Sequence, residues 1–152
     1  MISDFVIGLD ISTSCTGVSI IDSTGVVCHM SYHLPKGNTL VEKTKHFQTF
    51  LNQLLIEHKL EKPKAIFIEQ NLQRFRKGFS SAQVINKLAR YNGMVSYVMY
   101  EQFDMAPIYV NVNEGRKALG IKVPRGSNTK ELILEWCQKN QPHLTWPTKK
   151  LK

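Results

Sequence analysis

Two carboxylates, Asp10 and Glu69, occupy positions in the sequence where functional sites are common. Asp10 follows the apolar run Phe5–Leu9, and Glu69 follows the apolar run Ala65–Ile68. Such runs are typical of buried strands, and in open α/β sheets functional sites collect at strand ends near changes of strand order. Converging carboxylates repel each other unless a cation lies between them, and hard cations take oxygen ligands. The pair therefore predicts a Mg²⁺ site, with Mn²⁺ as the alternative metal, unless both acids only terminate their strands in solvent.

The charge distribution suggests what such a site would act on. The chain of 152 residues carries 20 basic and 12 acidic side chains. Residues 1–69 hold six basic and seven acidic ones, whereas residues 70–152 hold 14 basic and five acidic ones. We expect the second part to bind a polyanion, although a solvated basic face without a specific partner fits the composition equally well. Metals held by carboxylates can activate water for phosphodiester cleavage, which makes nucleic acid a plausible polyanion.

The elements that position the two acids follow from apolar periodicity and turn residues. The predicted strands are Phe5–Leu9, Thr16–Ile21, Val26–Leu34, Ala65–Ile68 and Ile108–Val112. The predicted helices are residues 40–59, 81–102 and 129–139, with a short helix over residues 113–119. The order βββ-α-β-α-β-α predicts an α/β fold in one domain, a mixed five-stranded sheet with helices on both faces.

Cysteine usage and hydropathy exclude several classes of protein. Cys15, Cys28 and Cys137 are widely spaced, which argues against a disulfide framework or a zinc site and fits a reducing intracellular compartment, either a cytoplasm or a host cell. The apolar runs are far shorter than the roughly 20 residues of a membrane span. Asp4 and Asp10 interrupt the apolar stretch near the start, so no N-terminal signal is visible. We expect no membrane partner.

Four segments resemble, in order, the motifs of RuvC-like Holliday-junction resolvases. Residues 7–22 (IGLDISTSCTGVSIID) are similar to the first motif, and residues 65–70 (AIFIEQ) resemble the second. Residues 80–93 (SSAQVINKLARYNG) resemble the helix that follows it in that family. Residues 116–133 (RKALGIKVPRGSNTKELI) resemble a basic, glycine-containing segment with a later lysine. Together the four motifs span nearly the whole chain and are fairly specific because they occur in the family's order.

The resemblance implies an RNase H-like fold and a role for individual residues. Asp10 and Glu69 would be metal-binding catalytic acids, and Lys130 would match a lysine that approaches the scissile phosphate. Arg116 or Lys117 would make a further contact with DNA. The family works as a homodimer that binds a four-way junction and nicks two strands symmetrically.

The basic loop after Glu69 matches a family loop that carries a residue into the junction centre. Leu72, Phe75 and Phe79 are the candidates, although the two phenylalanines could instead pack under their own loop. The candidate DNA-binding residues of the whole chain are Leu72, Arg74, Phe75, Arg76, Lys77, Arg116, Lys117 and Arg125. Phosphate contacts of this kind make binding fall steeply with salt.

The sequence departs from the family pattern at one point. The family completes its site with acids in an Asp-x-x-Asp or Asp-x-x-His pattern on a C-terminal helix, and no such pattern occurs in this sequence. Glu131 and Glu135 precede the place of that helix, and we expect them to pair with Lys130 or Lys139 on the surface. We therefore expect a C-terminally truncated chain with two of four acids and negligible nuclease activity.

Three hypotheses of function remain. The first is a structure-selective DNA endonuclease that resolves four-way junctions by metal-dependent phosphodiester hydrolysis. It would act as a homodimer through helix 81–101, whose Tyr91, Tyr97, Met99 and Tyr100 are candidates for the dimer face. The alternative is a catalytically incomplete module that binds branched nucleic acid without cutting it. A nucleotide-binding domain of the actin/sugar-kinase type is disfavoured because that fold needs a second homologous domain.

Overall fold

Strands and helices alternate along the chain in the predicted order. The structure, a computed structural model, describes residues 4–70 and 81–146. The elements are, in chain order, β1 (Phe5–Ile11), β2 (Cys15–Asp22), β3 (Gly25–His33), α1 (Leu40–Glu57), β4 (Ala65–Glu69), α2 (Ala82–Phe103), β5 (Ile108–Val110), α3 (Val112–Ala118) and α4 (Thr129–Asn140). Contacts divide the chain into two compact units, Met1–Val110 and Asn111–Lys152. The five strands of the sheet lie in the first unit.

The predicted hairpin between β2 and β3 forms for a local reason. The Asp22 carboxylate accepts hydrogen bonds from the Thr24 amide at 2.7 Å and from the Thr24 hydroxyl at 2.6 Å, and these bonds lower the pKa of Asp22. Gly25 closes the turn at φ +125°, a conformation that favours glycine. The two strands therefore pair antiparallel from Asp22 and Gly25 back to Cys15 and His33.

The sheet is mixed and runs in the order β3-β2-β1-β4-β5. Strand β1 pairs antiparallel with β2 and parallel with β4, and β4 pairs parallel with β5. Parallel neighbours require a crossover connection, which α1 provides before β4 and α2 provides before β5. The predicted α/β class and the mixed five-stranded sheet are therefore confirmed.

The two long helices begin at side-chain caps. At α1, the Thr39 hydroxyl accepts the Glu42 amide at 3.2 Å, while the Glu42 carboxylate accepts the Thr39 amide at 2.6 Å and has its pKa lowered. At α2, the Ser81 hydroxyl accepts the Val84 amide at 3.3 Å. This helix ends at Asp104, which adopts the left-handed conformation at φ +49°. No helix in residues 4–70 and 81–146 is long and apolar enough to cross a membrane.

The core lies on one face of the sheet, between the strands and helices α1 and α2. We call this side of the sheet the core face. Its members alternate along the strands and are buried: Phe5, Ile7, Leu9, Ile11, Thr16, Val18, Ile20, Ile66 and Ile68. The helix residues that belong to the same core include Phe47, Leu51 and Leu54 of α1 and Val95, Val98 and Phe103 of α2. The amphipathic stripes of the two helices therefore serve one continuous core.

Two of the four candidates for the dimer face on α2 are buried. Tyr91 and Met99 are both 0% exposed and belong to the core, as their helical spacing with Val95 predicts. Val84, which helical spacing places on the inner stripe, is 55% exposed because it lies in the first turn of the helix, beyond the packed segment. Tyr97 and Tyr100 remain exposed on the outer side of α2.

The second unit contains two capped helices. The Asn111 side chain accepts the Asn113 amide at 2.9 Å at the start of α3, and the Asn128 side chain accepts the Lys130 amide at 3.2 Å at the start of α4. The Trp146 indole donates to the Gln141 carbonyl at 2.9 Å and folds the segment after α4 back on itself. Both helices agree with the sequence prediction, α4 to within one residue at each end.

Candidate active site

The sheet register brings Asp10 and Glu69 side by side. Strands β1 and β4 are parallel, with Leu9 paired to Ile68, so the next residue on each strand is Asp10 and Glu69 respectively. Adjacent strands lie about 4.8 Å apart. Leu9 and Ile68 point into the core, and successive side chains alternate, so both acids lie on the opposite face, where both are exposed. Two residues far apart in the chain thus form one carboxylate pair.

Strand β1 extends farther than the apolar run predicts. Asp10 lies within the strand, because it pairs with Gly17 of β2 and the ladder continues to Ile11 and Thr16. Glu69 is the last residue of β4 and pairs with Val110 of β5. The acids are therefore held by backbone pairing on neighbouring strands, which fixes their spacing more tightly than a position in a loop would.

Glycine and serine lie near Asp10 on this side of the sheet, which we call the acid face. Its members on the three central strands include Val6, Gly8, Asp10, Gly17, Ser19, Phe67 and Glu69. A methyl group at Gly17 would lie 3.6 Å from the Asp10 Cβ, so the glycine leaves the space beside that carboxylate clear. A methyl group at Gly8 would lie only 2.7 Å from the Ser19 Oγ. Neither glycine is a candidate from the sequence alone, because its role depends on which strand lies beside it.

The turn after Asp10 is fixed from two directions. The Ser12 Oγ accepts the Cys15 amide at 3.0 Å and donates to the Cys15 carbonyl at 2.7 Å, which closes the turn on itself. From α1, the Lys43 Nζ donates to the Thr13 carbonyl. Lys43 is only 8% exposed, an uncommon degree of burial for a lysine. Helix α1 therefore anchors the backbone that leads away from the catalytic candidate.

Lys43 is absent from the sequence-based candidates, although the sequence contains a signal for it. The inner stripe of α1 repeats at helical spacing through Leu40, Phe47, Leu51 and Leu54, and Lys43 falls on this stripe one turn after Leu40. A lysine at an inward position requires a buried acceptor for its ammonium group. That acceptor is the backbone carbonyl of Thr13, and the sequence does not indicate which carbonyl lies next to Lys43.

The acid pair has the oxygen donors that a hard cation prefers. Two adjacent carboxylates without a cation between them repel each other, so their placement on neighbouring strands favours binding of a divalent ion. Among residues 4–70 and 81–146, no group of three histidine, cysteine or acidic side chains is arranged to hold a metal. As two carboxylates, Asp10 and Glu69 would supply only part of a coordination shell, and their role as metal ligands stays a prediction.

The other candidate residues with a described position belong to the second unit. Lys130 is exposed in the first turn of α4, and Arg116 and Lys117 occupy the last turn of α3. Arg125 is exposed in the segment between these helices. Their roles beside the acid pair stay predictions.

The loop candidates lie outside the described residues. They are Leu72, Arg74, Phe75, Arg76, Lys77 and Phe79. Their predicted part in DNA binding is therefore untested.

The outer surface of the first unit carries an apolar groove between α1 and α2. It comprises adjoining cavities of about 500 and 460 Å³, and Val41, Arg90 and Met94 line both. Val41 is 60% exposed and Tyr97, at one end of the groove, is 61% exposed. Tyr91 and Met99 are buried, so they do not belong to the predicted dimer face. The groove beside the same helix still exposes the apolar side chains of Val41 and Tyr97.

Comparison with known proteins shows which fold this is. No family model matches the sequence, and no curated protein is a significant match to it. The structure is similar to that of Thermus thermophilus RuvC in complex with Holliday junction substrate, with a TM-score of 0.68 and 13% identity over 97% of this chain and 84% of that one. A second Thermus thermophilus RuvC structure gives a TM-score of 0.62 and 14% identity over 96% of this chain and 85% of that one. The chain therefore has the RuvC-like form of the RNase H-like fold.

Proposed function

We propose that this chain is the DNA-binding and metal-binding domain of a structure-selective endonuclease that acts on four-way junctions. The observation that carries the proposal is the Asp10–Glu69 pair, two exposed carboxylates on adjacent parallel strands of a RuvC-like sheet. A structural neighbour was determined in complex with a Holliday junction substrate, which supports branched DNA as the substrate class. The excess of basic residues after Glu69 supports the same partner.

The residues of the proposed site would have distinct roles in the reaction. Asp10 and Glu69 would hold a divalent cation, Mg²⁺ or Mn²⁺, through their carboxylate oxygens. When bound, the cation supplies Lewis-acid chemistry for hydrolysis of a phosphodiester. Gly17 leaves room beside Asp10 for the ion and the substrate, and Lys43 keeps the turn after Asp10 in place. Lys130 would offset the charge of the scissile phosphate.

Binding to DNA would rest on the basic residues and on a second copy of the chain. Arg116, Lys117 and Arg125 would contact backbone phosphates. One of Leu72, Phe75 and Phe79 would enter the junction centre. Symmetric nicking of a junction requires two active sites, which a homodimer provides. The groove between α1 and α2, with Tyr97 exposed at its edge, supports this helix pair as the dimer face.

A junction-binding and cleavage experiment tests the proposal. We expect the chain to bind a synthetic four-way junction at least about tenfold more tightly than a linear duplex of equal length and sequence composition, in gel-shift titrations at fixed salt. Asp10→Asn should keep this preference and lose both Mn²⁺ binding, followed by paramagnetic broadening of amide signals in β1 and β4, and any Mg²⁺-dependent nicking. Equal affinity for junction and duplex would contradict the proposal.

The alternative function, junction binding without cleavage, is favoured by one observation. The described residues offer two carboxylates and no third histidine, cysteine or acidic side chain grouped with them. If the chain prefers the junction and binds Mn²⁺ through Asp10, yet a version extended by a C-terminal helix with an Asp-x-x-Asp pattern still leaves the junction intact at millimolar Mg²⁺, the binding module is the better description. Paired symmetric nicks would favour the endonuclease.

A further inference from the structure

A small basic cavity lies within the second unit, and none of its lining residues belongs to the sheet. It has a volume of about 350 Å³, and its lining includes three cations, Arg116, Lys117 and Lys122. No acidic residue of the described chain contributes to the lining. Lys122 is a new candidate, which the sequence motifs did not single out.

Backbone hydrogen bonds preform this cavity. At the end of α3, Gly120 adopts φ +69° and its amide donates to the Lys117 carbonyl at 3.1 Å. The Ile121 amide donates to the Arg116 carbonyl at 2.9 Å. The chain thereby reverses, and the half-buried Ile121 and Val123 return beside the helix as an apolar wall. The cations are thus carried by a folded-back segment that is already ordered without a ligand.

The cations that line the cavity have no counter-charge in the described part of the chain. None of the three cations forms an ion pair with a described carboxylate. Negative charge and acceptor oxygens are what the cavity lacks.

We propose that this cavity binds a single phosphate group, with Arg116 and Lys122 as its principal ligands. A phosphate group supplies acceptor oxygens for the guanidinium and ammonium N–H groups and a negative charge that all three cations stabilise. A volume of about 350 Å³ admits one phosphate together with its attached sugar or with water. The phosphate could belong to a DNA backbone or to a small phosphorylated molecule. This inference rests on the proposed function only for the first of these two sources.

Titration of the full chain with inorganic phosphate tests the cavity directly. We expect amide signals of residues 116–123 to shift saturably, and to shift little with chloride at the same ionic strength. Arg116→Lys keeps the charge and removes the planar set of guanidinium donors, and should weaken phosphate binding about tenfold. Lys122→Gln should weaken it about two- to fivefold, because its ammonium is exposed. Lys139→Gln, an exposed lysine of α4 outside the cavity, is the matched control.

The outcomes separate this inference from the proposed function. Phosphate shifts scattered over the basic residues of the chain, or an equal effect of Lys122→Gln and Lys139→Gln, would overturn it. Asp10→Asn should bind phosphate normally, so a failure of junction cleavage leaves the test intact. If Lys122→Gln also reduces the salt slope of junction binding by about 0.9, the phosphate belongs to DNA. An unchanged slope with weakened phosphate binding assigns the cavity to a small phosphorylated ligand.

Discussion

The two faces of the central sheet are built from the same strands and are opposite in character. On β1, Leu9 is 4% exposed on the core face, and Asp10, the next residue, is exposed on the acid face. The same change occurs on β4 between Ile68 and Glu69. The core face is filled with large aliphatic side chains, whereas the acid face carries glycine and serine next to Asp10 and Phe67 next to Glu69. A period-two alternation thus separates the residues that stabilise the fold from those proposed to do chemistry.

The difference shows where the stability of the strands that carry the acids comes from. Leu9 and Ile68, the residues before Asp10 and Glu69, are buried in the core and contribute roughly 1.5–3 kcal/mol each. The acid pair is therefore carried by strands whose opposite face holds the fold together.

The largest expected effect is a difference in the free energy of unfolding between substitutions at two adjacent residues, one on each face of the sheet. Leu9→Ala should lower the free energy of unfolding by about 2–5 kcal/mol, because it removes buried methyl groups and leaves a cavity under β1. Asp10→Asn, one residue along, should change it by no more than about 0.5 kcal/mol. Urea denaturation followed by circular dichroism measures both. A loss for Asp10→Asn as large as that for Leu9→Ala would mean that the acid face also holds the fold together.

A second prediction concerns the hydroxyl groups of the core face. Burial raises the pKa of Tyr91 to about 12, although the neighbouring Thr16 hydroxyl acts in the opposite direction. An unfolded tyrosine loses its proton near pH 10. Between about pH 10 and 12 the unfolded state therefore binds fewer protons than the folded state, and the free energy of unfolding falls as pH rises.

Over that range the expected loss is about 2–3 kcal/mol, at 1.36 kcal/mol for each pKa unit. Tyr91→Phe should remove most of the loss and change stability by less than about 1 kcal/mol at pH 7, since the Tyr91 hydroxyl has no hydrogen-bond partner among the described residues. The exposed Tyr100→Phe is the control and should leave the loss in place. Urea denaturation at several pH values gives the slopes.

The smallest effects are expected for the glycines of the acid face. Gly8→Ala should cost about 1 kcal/mol, because the new methyl group would lie 2.7 Å from the Ser19 Oγ, and Ser19→Ala should relieve that cost. Gly17→Ala should change stability by less than about 0.5 kcal/mol, since its methyl group meets Asp10 at an ordinary 3.6 Å. It should nevertheless weaken Mn²⁺ binding by crowding that carboxylate. Unchanged Mn²⁺ affinity in Gly17→Ala would place the ion elsewhere.

The sequence predicts the elements better than the side-chain environments. Apolar runs and caps locate the strands and helices because these signals are local, as with Ser81 before α2. The exposure of Val84, which shares the helical spacing of the buried Tyr91, depends on how far the sheet and α1 cover α2, which no local pattern states. The meeting of Asp10 and Glu69 is expected from strand ends, but the side-by-side geometry requires the register of β1 on β4.

The parallel pairing of β1 with β4 has a consequence for how the protein acquires its site. The β1–β3 meander joins neighbours in sequence and can form early, because short loops close at little entropic cost. The β1–β4 ladder must wait until the whole of α1 has been placed, since that helix is the crossover between them. We therefore expect the carboxylate pair to be one of the last features to form as the chain folds. An incompletely folded chain would carry the basic residues that attract nucleic acid without the geometry proposed to cut it.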